Sequence, residues 1–577
     1  MAGTNPDAVK AASPLEAYDV VSTPSEAVPT APPRPFLSRK ARIAIAVAAL
    51  CGVVCITIGA VFIFNTKVTN HASEIITNIQ QSPGLKVTIT AKRESMRFNG
   101  RTTADVYIVP RGVAGPTLLF DAFLSQPGPE VTENYLLLDD RAYWSMTKDN
   151  VVVQAGCLEA GRVPPVHLMQ TSLTDAKVLD NYKVGNITAT DCPDGKLLHI
   201  AFAGEAFVFC NSRNNRLTHA TGEDLDIAVQ YLSDPTQLPE MDIPVVPGAA
   251  PLSCDVAVLD VLPTTASSSL LQTTKEVAAV AAGYERSTVV SKSSCGCKMG
   301  KKKPCLFVHG VGETESGPMT STFPSGWGSI EEHAPCCSSV QFVHFETTMT
   351  RWDDGSLQKQ FCDAALSVGA PGYSRDLSNM ILVTFSMGNL IASSAVANGK
   401  CNIGTGVTWV SIAGPMQGSK TANLLETKCA AGGWGNAILK AILKQVGFCP
   451  IQPAYDSLKH QSTVGSAMQA KFTAAQAVRK KYVTRVLCGT NSVGLTSLAS
   501  AAVGIVGHMS HHDNAANDGV VDFTSCSAGI DVAKFGTDAA SSYHFKAAIN
   551  HLDASMRYGD GWWGCDRKPL KWFECAL

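Results

Sequence analysis

Between Ile43 and Phe64 the chain runs for 22 residues without a charged side chain. As an α-helix rising about 1.5 Å per residue, it would reach roughly 33 Å, enough to cross a hydrocarbon core of about 30 Å. A secretory signal peptide has a shorter apolar stretch, of about 7–15 residues, close to its start. Here 42 residues precede the run and no clear Ala-x-Ala site follows it. The reading is a transmembrane helix over 43–64. Arg34, Arg39, Lys40 and Arg42 stand before it and only Lys67 follows closely. Basic flanks stay cytoplasmic. The expected topology is therefore type II, with residues 1–42 in the cytosol and the remainder lumenal or extracellular.

The first 40 residues contain seven prolines and much Ala, Ser and Thr, which predicts a disordered cytoplasmic tail over 1–42. Within it, Tyr18-Asp19-Val20-Val21 fits a Tyr-x-x-apolar sorting pattern, a match short enough to arise by chance. The whole chain is 45% apolar and only 17% charged, against about 25% charged in an average soluble domain, so most of it can bury a core. A net charge of −2 leaves no basic excess and argues against a nucleic-acid partner. Nineteen cysteines suit an oxidising compartment, in agreement with the charge flanks. Cys51 and Cys55 fall in the span, leaving seventeen beyond it, so one thiol is expected to stay unpaired. A single glycosylation sequon, Asn186 to Thr188, falls on the predicted lumenal side.

From 72 to 283 the pattern is β-rich. Val87–Thr90, Ala104–Val109, Tyr135–Leu138 and Ala206–Phe209 are strand-like runs punctuated by turn residues. They predict a twisted antiparallel sheet in which Cys157, Cys192, Cys210 and Cys254 form two bridges. No convergent catalytic set appears in this segment. Residues 284–303, rich in Lys, Ser and Cys, read as a linker. Cys295 and Cys297 lack the two further well-spaced ligands that a zinc site needs.

Residues 304–577 change character. Pro304–Val308, Gln341–Phe345, Met380–Val383, Val407–Ile412 and Tyr482–Leu487 are continuous apolar runs separated by helical stretches such as Asn389–Ala397. That alternation predicts a mostly parallel sheet covered on both faces by helices. Ser386 lies between a buried strand and a helix, with Gly388 two residues on, as in a nucleophile elbow. Thr384 stands where a smaller residue is usual. His309-Gly310 closes an earlier strand. Asn517-Asp518-Gly519-Val520-Val521 and Ile549-Asn550-His551-Leu552-Asp553 then supply an acid and a base in the order Ser, Asp, His.

These motifs, with Ser411-Ile412-Ala413-Gly414-Pro415-Met416-Gln417-Gly418-Ser419, resemble an α/β-hydrolase of the lipase type. The acid and base runs are similar to those of bacterial triacylglycerol lipases. The resemblance covers about half of the chain and says nothing of 72–283. It implies Ser386 as nucleophile, His551 as general base, Asp518 as the group that orients His551, and the Val311 and Met387 backbone amides as the oxyanion hole. It implies cleavage of carboxylic, lipid acyl esters through an acyl-enzyme. No cofactor and no metal are expected. Asp553 matches a calcium-holding aspartate of those lipases, but Leu498 occupies the position of its companion.

Other assignments remain open at this level. His544 is a rival base, and Asp513 and Asp522 are rival acids. His508, His511, His512 and Asp513 form a cluster that reads as a solvated loop rather than a zinc site. The roughly 60 residues between Ser419 and Lys481 include an amphipathic stretch, Asn436–Lys444, suited to a cap over an acyl pocket. Acyl transfer and thioester cleavage would use the same elbow, and a non-catalytic hydrolase-fold binding protein is a further alternative. The anchoring expectation is tested on sealed vesicles: an impermeant probe on the cytosolic side should modify sites before Arg42 and none in 72–577. Modification of the C-terminal portion from that side would overturn the topology.

Overall fold

The computed structural model describes residues 71–97, 101–114, 117–127, 132–158, 166–179, 192, 195–256, 295–369, 375–430, 451–495, 503, 507, 509–513 and 515–577. The expected tail, the span 43–64, the sequon, His508, Leu498 and the stretch 436–444 lie outside these. Among the described residues no helix is long and apolar enough to cross a membrane. The chain divides into two compact units, 1–66 and 67–577, and the described residues all belong to the second.

The first part of this second unit is one antiparallel sheet of eleven strands: β1 (Leu85–Ala91), β2 (Thr103–Ala114), β3 (Thr117–Pro127), β4 (Thr132–Leu138), β5 (Arg141–Lys148), β6 (Val151–Cys157), β7 (Lys177–Leu179), β8 (Lys196–Phe202), β9 (Glu205–Asn211), β10 (Leu217–Gly222) and β11 (Leu225–Tyr231). Their spatial order is β6-β5-β4-β3-β2-β1-β11-β10-β9-β8-β7. Each of the four strand-like sequence runs falls in this sheet. Consecutive strands pair as hairpins, while β1 pairs with β11, Leu85 against Tyr231. Two meanders thus meet mid-sheet. Alternate residues point to one face, where Val106, Ile108, Ile200 and Phe207 pack with Ile75 and Ile79 of the helical residues 71–80. The short helix α1 (Met169–Thr174) adds Leu173 to the same layer.

The second part is a sheet of eight strands: β12 (Lys303–Val308), β13 (Gly317–Thr320), β14 (Cys337–His344), β16 (Ile381–Phe385), β18 (Thr408–Ile412), β19 (Val483–Gly489), β20 (Phe535–Gly536) and β21 (His544–Ala547), with β15 (Asp376–Leu377) and β17 (Asn402–Ile403) forming a separate two-stranded ladder. The order is β13-β14-β12-β16-β18-β19-β21-β20. Only the β13–β14 pair is antiparallel. The apolar runs are continuous because both faces are covered. Leu306, Val308 and Leu382 face one cluster with helices α2 (Gly355–Val368), α3 (Gly388–Ala397) and α5 (Ser466–Tyr482), while α4 (Lys420–Ala430) leads into the insertion. Cys305, Phe307 and Ile381 face the other, with Trp327 and with Trp572 and Phe573 of the last helix, α6 (Pro569–Ala576). This is an α/β-hydrolase-like arrangement.

Disulfides join Cys157–Cys254 and Cys192–Cys210 in the first part, the two bridges expected there. In the second they join Cys295–Cys575, Cys297–Cys336, Cys305–Cys337, Cys362–Cys401 and Cys488–Cys526. Cys429 is also disulfide-bonded. Of the vicinal pair, Cys336 ties to Cys297 and Cys337 joins β14 to β12. Among the described residues Cys565 is the free cysteine. Burial, with Asp566 and Asp538 nearby, raises its pKa to about 11, which keeps it protonated and unreactive. Of the expected linker, residues 295–303 are tied down by two bonded cysteines and by the Lys298 amide, which donates to the Leu577 carbonyl at 2.7 Å.

Buried charges join the two parts. Asp224, just before β11, accepts from Lys568 at 2.6 Å and from Lys571 of α6 at 2.8 Å. Lys568 also reaches Glu205 at 2.5 Å, and Arg93 reaches Glu574 at 2.7 Å. Burial alone would raise the pKa of Asp224, but the two lysines outweigh it and hold the carboxyl below its ordinary value. Removing one partner of such a group strands the others in a dry environment, at a cost of about 3–5 kcal/mol. Asp224→Ala should therefore lower unfolding free energy by about that amount in chemical denaturation. Asp363→Ala, which removes an exposed partner of Lys359, should change it by less than about 1 kcal/mol. Equal effects would refute a structural role for the buried cluster.

Candidate active site

The turn from β16 into α3 is tight enough to force Ser386 into a left-handed backbone conformation, φ 51°. For a residue with a Cβ this costs about 1–3 kcal/mol and persists only where the surroundings impose it. Here they do. The Ser386 amide donates to the Ile412 carbonyl at 3.0 Å. The Asn389 amide group donates to the carbonyls of Thr384, Ser386 and Ile412 at 3.2, 3.1 and 3.0 Å. Thr384, the residue larger than the motif prefers, is fully buried and belongs to this clamp. Its hydroxyl donates to Asn389 Oδ1 at 2.6 Å and accepts from the Trp409 indole at 2.9 Å. The departure from glycine is thus compensated by hydrogen bonds that glycine could not make.

The elbow lies hard against the end of β12. A Cβ on Gly388 would come within 2.6 Å of the His309 carbonyl oxygen, and one on Gly310 within 2.6 Å of the Ser386 Cβ. The loop carrying Val311 is therefore in van der Waals contact with the serine, while Met387 caps the N-terminus of α3. His309 holds that loop in place. Its Nδ1–H donates to the Gly310 carbonyl at 2.8 Å and its Nε2 accepts from the Phe345 amide at 3.0 Å. Burial drives its pKa down to about 4, so the ring is neutral at physiological pH. Sequence reasoning located the His309-Gly310 pair but missed this bridging ring and the Asn389 clamp. Their signals were a histidine ending a buried strand and an amide three residues after the serine.

Asp518 and His551 arrive from loops after β19 and β21. The Ser386 hydroxyl donates to His551 Nε2 at 2.9 Å, and His551 Nδ1–H donates to Asp518 Oδ2 at 2.8 Å. The other Asp518 oxygen accepts from the Val520 and Val521 amides at 2.9 and 2.6 Å. The His551 amide also donates to the Asp518 carbonyl at 2.9 Å, so the two loops are locked together. The three side chains that the sequence singled out form one buried relay.

The rivals are engaged elsewhere. His544 packs against Phe535 on β20. Asp513 pairs with Lys420 at 3.0 Å, and Asp522 lies 3.1 Å from His512. Asp553 accepts the Leu495 amide at 2.7 Å. Among the described residues no group of three or more His, Cys, Asp or Glu side chains is placed to hold a metal. The insertion meets the site through α4. Ser419 donates to the Val520 carbonyl, and Thr421 donates to that of Gly519 at 3.0 Å. Leu425 and Tyr455 form an apolar cluster with Val311, Leu424, Ile451 and Met509, on the loop that follows β12 and beside it. By contrast, Ser466–Tyr482 is not part of a cap but a helix laid against α3, with Phe472 and Ala475 in the core.

No protein-family pattern and no curated protein matches the chain. Among solved structures it is similar to Staphylococcus hyicus lipase, at 13% identity over 47% of this chain and 92% of that one, with a TM-score of 0.25. It is similar to phospholipase PlaB from Legionella pneumophila, at 15% identity over 39% of this chain and 45% of that one, TM-score 0.25. It is also similar to LprF from Mycobacterium bovis, at 8% identity over 29% and 92%, TM-score 0.19. What characterises the fold here is the strand order and the elbow.

The close approach at Gly310 has a direct consequence. Gly310→Ala should destabilise the protein by about 1–3 kcal/mol, the usual cost of overpacking. Gly296→Ala, whose Cβ would meet no atom within 4 Å, should leave the melting temperature unchanged. Equal melting of Gly310→Ala and wild type would contradict the packing of the elbow against β12.

Proposed function

We propose that the chain is a membrane-anchored serine hydrolase that cleaves carboxylic esters, lipid acyl esters above all, with the anchor at 43–64 and the hydrolase portion on the lumenal or extracellular side. The observation that carries this reading is the relay from Ser386 through His551 to Asp518, set on a left-handed elbow against Gly310. A serine hydroxyl is a weak nucleophile unless a base takes its proton. In this reading His551 accepts that proton as Ser386 Oγ attacks the ester carbonyl carbon. Asp518, fixed by two backbone amides, keeps the His551 Nδ1 proton in place and offsets the imidazolium charge. The oxyanion forms toward the Val311 and Met387 amides, at the start of α3, where the helix dipole favours negative charge. His551 then protonates the leaving alcohol. Water, deprotonated by His551, attacks the acyl carbon, and His551 returns the proton to Ser386 Oγ as the acid leaves. The apolar cluster of Val311, Leu425 and Tyr455 is suited to an acyl chain beside the reacting carbonyl.

Full-length protein should label with a fluorophosphonate and hydrolyse acyl esters, and Ser386→Ala should lose labelling and lose rate by about 10,000-fold or more. A panel of acyl esters, phospholipids and thioesters assayed on the same pair ranks the substrate classes. Equal labelling of the two proteins, or equal turnover, would remove Ser386 from the chemistry.

A further inference from the structure

A cavity of about 200 Å³ lies on the helix-covered face of the eleven-stranded sheet, away from Ser386. One water needs on the order of 10–15 Å³ of such space and two to four polar partners. This cavity has room for many waters and offers them few partners. Its walls are the alternating side chains of neighbouring strands: Leu85, Val87 and Ile89 of β1, and Ala104, Val106 and Ile108 of β2. Leu225, Ile227 and Val229 of β11 continue the wall in register, Val87 against Val229 and Ile89 against Ile227. Protein interiors close-pack and leave few voids larger than a water molecule, so an apolar cavity of this size is suited to an apolar ligand.

Its shape says which kind. Lining residues come from eight adjacent strands, β4 and β3 at one side, then β2, β1, β11, β10 and β9, to β8 at the other. At about 4.8 Å per strand, the apolar lining covers roughly 30 Å measured along the sheet. A flexible hydrocarbon chain can follow a lining of that extent, whereas a compact ring system would touch only part of it.

The charged lining residues, Arg97, Glu205, Asp560 and Arg567, belong to segments bonded to one another. Ser95 donates to Asp560 at 2.8 Å, Trp562 Nε1 donates to the Met96 carbonyl at 2.5 Å, and Lys568 holds Glu205 at 2.5 Å. The cavity thus has a long apolar stretch and a clustered polar part, the pattern of an amphiphile.

Part of this wall is lent by the hydrolase portion. Tyr558, Trp562 and Trp563 line the cavity and follow His551 by seven to twelve residues. Leu495 lines it too, with its amide held by Asp553, two residues past His551.

We infer that this cavity is a second lipid site, distinct from the one at Ser386, that holds the acyl chain of a single-headed lipid across the eleven-stranded sheet, and that the segment after His551 completes it. The site does not depend on the chemistry assigned to Ser386. It gives the β-rich half of the chain a task, retaining a lipid chain beside the hydrolase.

The test irradiates the full chain in nanodiscs with a long-chain fatty acid carrying a diazirine on its alkyl chain, and maps labelled peptides by mass spectrometry. Saturable labelling is expected on 85–108 and 225–231, unchanged in Ser386→Ala and competed by unlabelled fatty acid. Ala104→Phe fills the cavity from one wall and should cut that labelling at least tenfold, with far-UV circular dichroism confirming that the sheet persists. Labelling confined to the surroundings of Ser386, or an Ala104→Phe protein that folds and labels like wild type, would overturn the site. Should Ala104→Phe fail to fold, the wild-type peptide map decides alone, because labels absent from β1, β2 and β11 overturn the inference by themselves.

Discussion

Everything at the Ser386 site depends on one backbone residue being held where it would not go unaided. Ser386 sits at φ 51° only because three strands and a helix converge on it. Gly310, just past the end of β12, leaves room for its Cβ, β18 offers the Ile412 carbonyl to its amide, and Asn389 on the following helix ties three carbonyls into one knot. The conformation lifts the hydroxyl clear of the sheet toward His551. It also leaves Met387 at the helix start, where backbone amides are unspent by the helix itself. Local strain and chemical poise are the same fact seen from two sides.

The second constraint is charge in a dry place. Lys568, Lys571 and Asp224 are each nearly inaccessible to water, and such groups are tolerated only when paired. The pairs run between the antiparallel sheet and the last helix of the parallel-sheet portion. Neither partner surface would be comfortable alone. The fold is therefore less a pair of beads than a single body whose seam is electrostatic, with the segment from His551 to Glu574 serving both sides.

Much of the Ser386 site was legible in the sequence because catalytic-type motifs are local. Strand, serine and glycine follow one another, and the acid and base runs keep their order along the chain. Thr384 looked like a defect because the motif records size, whereas the structure uses its hydroxyl. The pairing of β1 with β11 was not legible: it joins residues about 140 positions apart, and alternation alone does not say which strand is the neighbour. The cavity was hidden for a related reason. Val87, Val106 and Val229 alternate as core residues do, and sequence does not distinguish a face that is packed from one that is left open. Lys568 and Lys571 read as surface charge for want of any local sign of their distant partners. Cys565 and Cys575 looked alike, and only three-dimensional proximity separates the bonded one from the free one.

The bond between Cys295 and Cys575, 280 positions apart, has a topological meaning. It closes residues 295–575, nearly the whole parallel-sheet portion, into a covalent ring. A protease that cuts one surface loop of that ring opens it but releases no fragment, and both ends stay tethered to the same molecule. In an environment rich in proteases, damage of this kind costs the protein a peptide bond without costing it a piece.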